Sequence, residues 1–391
     1  MKSILRLKIL SVILILTIVL GSIVISASEM STGAIDVNAS LDLACKSAIL
    51  MEAETGRVLY EQNADEPLPP ASVTKIMTLL IVMEAIDSGA LKLDDQISVS
   101  KNAASMGGSQ IFLEEGETMS AEDMLKSVII SSANDAAVAL AEHVAGSEEA
   151  FVQKMNARAA ELGMKNTCFE NTNGLDDTVS KHLTSARDIA LMSRELIKHE
   201  KILEYSSIWM DTIRNGEFGL TNTNRLVRFY NGATGLKTGS TAKAKFCVSA
   251  TAKRGEMHLI CVIMGAETRD ERNAMASKLL DYGFANYACF KAQGQKLDEI
   301  RVVGGIEDTC GISFDNFTAV VNKGDENKIT STLELNDNLV APVKIGDVAG
   351  KIVYKKGDIT VGEVEIKATE NIEKIKFSDV LKRIFIKLSL K

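Results

Sequence analysis

The sequence predicts an α+β fold: one antiparallel sheet with packed helices and a helical lobe, followed by a small all-β domain and a C-terminal amphipathic helix. Apolar runs on both sides of Glu54-Thr55-Gly56 are typical of a hairpin. Helical spacing of apolar residues dominates the middle of the chain, and strand-like runs return after Gly232. Strands at both ends of a helical middle indicate a single sheet assembled from distant segments.

The second group of strands has the pattern of an antiparallel meander. We expect strands near Gly235–Ser240, Ala244–Ala252 and Met257–Met264, and a helix over Asn273–Leu280 that ends at Gly283. In the helical middle, Ser185 and Asp188 form a variant capping box at the start of a further helix.

The six cysteines show no C-x-x-C pair and no histidine at metal-ligand spacing, which argues against a zinc site. We expect no metal and no cofactor. Cys247 and Cys261 are predicted to face each other across the hairpin that turns at Arg254-Gly255-Glu256. Two small buried side chains are the favoured interpretation of this pair, ahead of a disulfide bridge.

Composition shifts beyond about Phe290, where short β-like runs are punctuated by glycines. The sequence therefore divides into an α+β domain over 41–288, an all-β domain over 291–368 and a tail over 371–391. The tail has apolar residues at helical spacing and an excess of lysine and arginine over acidic residues. A basic amphipathic helix of this kind suits a membrane surface that carries anionic lipid, and a helix docked on its own domain is the alternative.

At the N-terminus, Lys2, Arg6 and Lys8 precede a largely apolar stretch from Ile9 to Ile25. Small residues around Ala27 then suit cleavage, so we expect a signal peptide over 1–28, with an uncleaved anchor as the alternative. Both interpretations export the protein to the outer face of the cytoplasmic membrane or the cell wall. A net charge of −8 without a basic aromatic stripe argues against nucleic acid as a partner.

Ser72 and Lys75 are the first pair that indicates chemistry. Pro69 and Pro70 precede them, and an apolar run that predicts a helix to about Ser88 follows. Three residues apart on a helix, the serine is a candidate nucleophile and a neutral lysine amine its base. The same spacing recurs without this context at Ser98 and Ser240, so spacing alone does not identify the site.

Two further stretches support Ser72. Ser132-Ala133-Asn134 places small polar residues between two buried-looking helices, where they need partners. Lys237-Thr238-Gly239 lies on a predicted strand, and Gly239 allows another group to approach the backbone closely. Lys237 brings a positive charge and Thr238 a hydroxyl.

In this order, Ser-x-x-Lys, Ser-x-Asn and Lys-Thr-Gly form the signature of penicillin-binding proteins and class A β-lactamases. The chain most resembles the low-molecular-weight penicillin-binding proteins that are serine-type D-alanyl-D-alanine carboxypeptidases, and the resemblance implies a β-lactamase/transpeptidase-like domain. It runs from about Ala44 to Tyr287. Further matching stretches are Asn173-Gly174-Leu175-Asp176, Ser185-Ala186-Arg187-Asp188 and the residues around each motif.

The resemblance implies a role for each matching position. Ser72 is the nucleophile, Lys75 its base, and Ser132 a proton relay to the leaving amine. Asn134 holds the substrate's peptide, and the amides of Ser72 and Ser240 form the oxyanion hole. Lys237 and Thr238 contact the terminal carboxylate, and Arg272 falls where the family often places an arginine for it, with Arg269 a close competitor. The other implied substrate-binding residues are Gly239 and Ser240. The implied partners are a peptidoglycan stem peptide that ends in D-Ala-D-Ala and β-lactam inhibitors.

Two alternatives stay open at this point. A β-lactamase-like hydrolase needs a Glu-x-x-Leu-Asn segment to activate water, but Leu335-Asn336 is the only Leu-Asn pair and Thr332 stands where the glutamate belongs. We therefore expect penicillins to inhibit this protein instead of being rapidly destroyed. The other alternative is a non-catalytic wall-binding scaffold, in which the β domain and the tail carry the function.

Overall fold

The central sheet has five strands in the order β2-β1-β9-β8-β7, and each neighbouring pair is antiparallel. A computed structural model describes residues 41–177 and 179–389, with side chains to 386, so the predicted signal peptide lies outside the described residues. The predicted sheet from distant segments is confirmed. The strands of this sheet are β1 Ser47–Glu52, β2 Val58–Gln62, β7 Ala233–Thr241, β8 Lys245–Arg254 and β9 Met257–Ala266.

Helices cover both faces of this sheet, as expected for strands that are apolar on both sides. The helical lobe lies between β2 and β7. Its helices are α1 Lys75–Asp87, α2 Lys101–Ala104, α3 Ala121–Lys126, α4 Asn134–Ala145, α5 Glu148–Glu161, α6 Ala186–Leu196, α7 Glu200–Ser206 and α8 Leu226–Phe229. Two short hairpins complete the lobe: β3 Gln96–Ser98 with β4 Thr118–Ser120, and β5 Met210–Ile213 with β6 Phe218–Thr221.

The core on the lobe side is built around α1, whose residues from Lys75 to Met83 are all buried. α6 packs on α1 and on β9 in the same core. Ser185 caps α6 by accepting the Asp188 N–H, as predicted. The other predicted contact of the capping box, from the Ser185 N–H to the Asp188 carboxylate, is wrong. This carboxylate accepts instead from the Asn166 N–H and the Thr167 hydroxyl.

The helix on the other face, α9 Arg269–Asn286, is longer than predicted. It runs through Gly283, where the sequence predicted its end. A Cβ at Gly283 would lie 2.6 Å from Leu259 Cδ1 and 2.9 Å from Leu50 Cδ2. Close packing of the helix on the sheet, not helix termination, therefore explains this glycine.

Cys247 and Cys261 do not face each other, which corrects a second expectation. Cys261 pairs with Ala250 on β8, whereas Cys247 pairs with Gly239 on β7. The two side chains enter cores on opposite faces of the sheet. The hairpin turn fixes the register, and a shift by an odd number of residues moves a side chain to the other face.

The C-terminal strands form a six-stranded sheet in the order β14-β16-β17-β12-β11-β15, with a separate pair of β10 and β13. They enclose a third apolar core. The strands are β10 Tyr287–Ala292, β11 Gln295–Val303, β12 Thr309–Phe314, β13 Phe317–Asn322, β14 Ile329–Leu335, β15 Leu339–Val340, β16 Val348–Lys356 and β17 Ile359–Ala368. The sheet confirms the predicted all-β character of this region.

Polar contacts join β10 and β13 to the turns of the central sheet. Lys291 forms ion pairs with Glu54 and Glu256, at 2.8 and 3.0 Å. Arg57 donates to the Val320 carbonyl at 2.6 Å. Charged side chains from the central sheet and from the C-terminal strands therefore link these two parts of the structure.

The final helix, α10 Phe377–Ser389, turns its polar side toward the β region. Arg383 pairs with Asp308 and donates to the Ile306 carbonyl, while Phe377 and Phe385 are 78% and 68% exposed. The apolar side of α10 therefore faces away from the strands beneath it. Within 41–177 and 179–389, no helix has the length and apolarity needed to cross a bilayer.

Candidate active site

Ser72 lies in a short 3-10 turn, Ala71–Thr74, that leads directly into α1. Two contacts hold this turn: the Thr74 hydroxyl donates to the Ala71 carbonyl at 2.8 Å and contacts His182 Nε2 at 2.7 Å. His182 Nδ1 accepts the Glu170 N–H, so Nε2 of the neutral ring donates to Thr74. Burial lowers the pKa of His182 to about 4, and its role here is to support the turn.

Lys75 begins α1 and is completely buried. Its Nζ lies 2.8 Å from Ser72 Oγ, 2.5 Å from Asn134 Oδ1 and 2.9 Å from the Asn173 carbonyl oxygen. The predicted nucleophile and base are therefore in direct contact, and two further oxygens complete the surroundings of the amine.

The environment of Lys75 favours the neutral amine. Burial lowers its pKa well below the ordinary value of 10.5, and the positive charge of Lys237 lowers it further. Asp135 acts in the opposite direction. A neutral amine has two N–H donors and one lone pair, which fit the two carbonyl oxygens and the Ser72 hydroxyl. After a proton transfer, the ammonium has three donors for the same three oxygens.

The Asn134 side chain contacts Lys75 and a loop backbone. Its Oδ1 accepts from Lys75, and its Nδ2 donates to the Gly107 carbonyl at 2.6 Å. With the side chain 2% exposed, the amide is engaged inside the protein. The structure thus places Asn134 beside Lys75, and its contact with the substrate's peptide stays a prediction.

The Asn173-Gly174 turn was not predicted to belong to the site, although it lies in one of the stretches that resemble the family. Gly174 has a φ of +84°, and a Cβ there would lie 1.9 Å from the Ala71 carbonyl oxygen. Only glycine allows this approach. The turn can therefore pack on the nucleophile's turn and present the Asn173 carbonyl to Lys75.

Ser132 lines the same cleft as Ser72. It ends a π-helical turn, Ser127–Ser131, and adopts a left-handed conformation with a φ of +63°. Non-glycine residues seldom hold this conformation unless the surrounding structure imposes it, and such residues cluster at functional sites. The same segment continues into α4 through Asn134.

β7 also lines the cleft and passes close to the nucleophile. A Cβ at Gly239 would lie 2.8 Å from the Ser72 backbone nitrogen, so glycine is required for this approach. Burial and the nearby Arg272 lower the pKa of Lys237 to about 7. The Thr238 hydroxyl donates to that of Thr223 at 2.8 Å, and Ser240 lines the cleft beside it.

Arg272 and Arg269 both line the cleft, so both remain candidates to bind the terminal carboxylate of the substrate. Arg272 is 3% exposed and its guanidinium donates to Asn273 Oδ1 and the Cys247 carbonyl. Burial, and then the charge of Arg269, lower the pKa of Arg272 to about 10. This end of the cleft therefore carries concentrated positive charge.

The cleft has a volume of about 650 Å³, enough for a short peptide end. Sequence reasoning brought six of its lining residues together and named Arg269 as a competitor. It missed the others, which lie on loops and on β6, α8 and β8 without a motif. The additional lining residues are Ser109, Trp209, Thr221, Asn222, Thr223, Arg225, Phe229 and Phe246, besides Arg269.

The other Ser-x-x-Lys copies serve different purposes. Ser98 is exposed on β3, and Lys101 begins the short helix α2. Lys243 donates to the Asp176 carbonyl at the surface, although its partner in the motif, Ser240, lines the cleft. Tertiary contact with a buried amine distinguishes Ser72 from these serines.

Comparison with known proteins agrees with this geometry. The family model described as D-alanyl-D-alanine carboxypeptidase matches residues 34–268, and the model of the C-terminal domain of penicillin-binding protein 5 matches 288–374. D-alanyl-D-alanine carboxypeptidase DacF of Bacillus subtilis is 41% identical over 95% of this chain and 97% of its own length. DacC of Escherichia coli is 36% identical over 83% of each chain.

Solved structures give the same result. Penicillin-binding protein 5 of Haemophilus influenzae has a TM-score of 0.76 and 30% identity, over 85% of this chain and 98% of its own. Penicillin-binding protein D2 of Listeria monocytogenes, in its ampicillin-bound form, has a TM-score of 0.58 and 33% identity, over 63% and 100%. This chain therefore belongs to the low-molecular-weight penicillin-binding proteins, the family of serine D-alanyl-D-alanine carboxypeptidases.

Proposed function

We propose that this protein removes the terminal D-alanine from peptidoglycan stem peptides through an acyl-enzyme on Ser72, as a serine-type carboxypeptidase of cell-wall maturation. The observation that carries the proposal is the 2.8 Å contact between Ser72 Oγ and the Nζ of a fully buried Lys75. A nucleophilic serine needs an adjacent base, and a lysine kept neutral by burial provides one.

Acylation begins with transfer of the Ser72 hydroxyl proton to Lys75. The oxygen attacks the carbonyl between the two terminal D-alanines, and the Ser72 and Ser240 amides hold the developing oxyanion. Asn134 Oδ1 and the Asn173 carbonyl receive the N–H groups of the new ammonium. Their oxygens stabilise the charge when it forms.

Collapse of the intermediate breaks the peptide bond, and Ser132 relays a proton to the amine of the departing D-alanine. The shortened peptide remains as an ester of Ser72. Water then attacks this ester, the acid leaves with the added hydroxyl, and the serine regains its proton. An amine in place of water would give transpeptidation by the same route.

Recognition of the substrate depends on its free carboxylate. Lys237 and Thr238 on β7, with Gly239 and Ser240 beside them, provide the contacts close to Ser72. Arg272 adds positive charge at the end of the cleft. A bound carboxylate favours the charged form of Lys237, whose pKa burial has lowered to about 7.

β-Lactams are expected to acylate the same serine through their ring carbonyl. The Listeria relative is described in an ampicillin-bound form. Leu335 lies at the end of β14, in the C-terminal sheet, and therefore supplies no Glu-x-x-Leu-Asn water site to the cleft. The penicilloyl ester should consequently be cleared slowly, which makes penicillins inhibitors.

The position of the enzyme follows from its remaining parts. The predicted signal peptide over 1–28 exports the chain. The tail over 371–391 binds the outer face of the cytoplasmic membrane with the apolar side of α10. The β domain over 291–368 is a spacer that holds the carboxypeptidase domain, 41–288, above the membrane. Exposure of Phe377 and Phe385 and the polar contact of Arg383 with Asp308 support this orientation.

The decisive experiment measures D-alanine release from a D-Ala-D-Ala peptide. We expect release by the wild type, none by Ser72→Ala, and full release by Ser98→Ala, which removes the serine of an unused motif copy. Peptide mass spectrometry after penicillin treatment should place the adduct on Ser72. An adduct on another residue contradicts the mechanism, and wild type without release or adduct favours a non-catalytic scaffold.

A further inference from the structure

Asp135, the residue after Asn134, has a fully buried carboxylate that no step above uses. It accepts the backbone N–H groups of Ile111 at 3.0 Å, Leu113 at 3.1 Å and Ala136 at 2.9 Å. Two of these donors belong to a loop far away in sequence. Hydrogen bonds from several amides offset the cost of burying this carboxylate.

The same loop is held by Asn134. The Asn134 N–H donates to the Ser109 carbonyl at 2.7 Å, and its side-chain amide donates to the Gly107 carbonyl at 2.6 Å. Ser109 in turn lines the cleft. The pair Asn134 and Asp135 therefore fixes the loop over residues 107–113 at both of its ends.

We propose that Asp135 is a positioning residue for acylation: it clamps the 107–113 loop so that Gly107 orients the Asn134 amide toward Lys75. The inference rests on the proposed function and adds a residue to it. Asn134 can present its oxygen to Lys75 only while its nitrogen has an acceptor in place. Asp135 fixes that acceptor through the neighbouring backbone of Ile111 and Leu113.

The negative charge of Asp135 has a second effect, on the pKa of Lys75. Two charged side chains act on the Lys75 amine: Lys237 from β7 opposes the ammonium, and Asp135 from α4 favours it. Asp135 should therefore stabilise the charge that Lys75 gains from Ser72.

Asp188 provides a matched control. It is also buried near the start of a helix, and its carboxylate accepts from the Asn166 N–H and the Thr167 hydroxyl, both at 2.8 Å. It thus ties a loop to a helix as Asp135 does. Neither Asn166 nor Thr167 is among the residues that line the cleft in the described part of the chain.

The test compares wild type, Asp135→Asn and Asp188→Asn in their rate of acylation by a penicillin across pH. We expect Asp135→Asn to be acylated at least tenfold more slowly at its best pH, with its acid limb moved to lower pH because the Lys75 pKa falls. Asp188→Asn should stay within twofold of wild type. A wild-type rate and pH profile in folded Asp135→Asn overturns the inference and leaves Ser72 acylation intact.

Arg214→Met provides a second test if Asp135→Asn does not fold. Its guanidinium holds the same loop from outside, donating to the carbonyls of Ile111 at 2.8 Å and Phe112 at 3.3 Å. Arg214→Met should slow acylation several-fold without moving the pH profile. An unchanged rate shows that the loop does not position the base, and a wild type without any adduct overturns the proposed function together with this inference.

Discussion

At the scale of single residues, the proposed mechanism requires the Lys75 amine to be uncharged until it takes the proton of the Ser72 hydroxyl. Lys75 is surrounded by a hydroxyl and two carbonyl oxygens, which satisfy both protonation states. Burial lowers the pKa of Lys75 and so favours the neutral amine. The surroundings of Lys75 therefore suit the proposed role as base.

The pH dependence of acylation should follow Lys75. Its amine works only when neutral, so acylation is lost as the pH falls through the pKa of the folded protein. Because that pKa lies well below 10.5, the acid limb should lie well below 10.5 too. The measurement is the second-order rate of penicilloyl-adduct formation from pH 5 to 10, and a rate that rises only near 10.5 contradicts the neutral base.

Lys237→Gln should move this acid limb in the opposite direction to Asp135→Asn. Removal of a positive charge stabilises the Lys75 ammonium, so we expect the limb at higher pH than in the wild type. Lys243→Gln is the control, since Lys243 donates to the Asp176 carbonyl at the surface. Identical profiles for the two variants would show that Lys237 does not influence the base.

At the scale of elements, α9 illustrates how packing overrides a local signal. Glycine usually marks the end of a helix, and Gly283 was interpreted in this way, but the helix continues to Asn286. The sheet beneath leaves no room for a side chain at this point. A contact with distant Leu50 and Leu259 cannot be recognised from the sequence around Gly283.

We therefore expect Gly283→Ala to destabilise the protein, although helix propensity alone would make the substitution stabilising. Alanine favours a helix by about 1 kcal/mol over glycine, whereas a methyl group forced onto the leucines costs roughly 1–3 kcal/mol. We expect a lower Tm in thermal unfolding. Ala274→Gly, at an exposed position of α9, measures the propensity alone, and a higher Tm for Gly283→Ala would refute the packing account.

At the scale of the whole molecule, the proposed membrane binding concerns the tail helix, α10. Its polar side contacts the β region through Arg383, and its apolar side is exposed. The helix does contact the β region, as the alternative of a docked terminal helix expected, but it does so through Arg383 on its polar side, while Phe377 and Leu381 are exposed. Apolar side chains and surrounding lysines suit the boundary of an anionic bilayer.

Leu381→Glu with Ile384→Glu should abolish binding to vesicles that contain phosphatidylglycerol. Both residues lie on the exposed apolar side of α10, where a carboxylate opposes insertion. Co-sedimentation with vesicles is the measurement, and Thr332→Glu on exposed β14 controls for added charge. Undiminished sedimentation of the double variant would contradict membrane binding by this face.

The spacer role of the β domain can be tested separately. We expect deletion of 291–391 to reduce D-alanine release from intact sacculi, while release from a short soluble peptide stays close to that of the full chain. A soluble peptide reaches the cleft wherever the enzyme lies, whereas a sacculus does not. Equal activity on sacculi would count against the spacer.

The sequence by itself determined the α+β class, the hairpins and the three motifs, because periodicity, turn residues and short-range spacing are local properties. It also indicated Ser72, since prolines and an apolar helix adjoin that serine and no other. Tertiary structure alone decided which oxygens surround Lys75, that Asn134 faces the base, and that Cys247 and Cys261 lie on opposite faces. Each of these depends on the register and packing of segments distant in sequence, and such contacts leave no pattern along the chain.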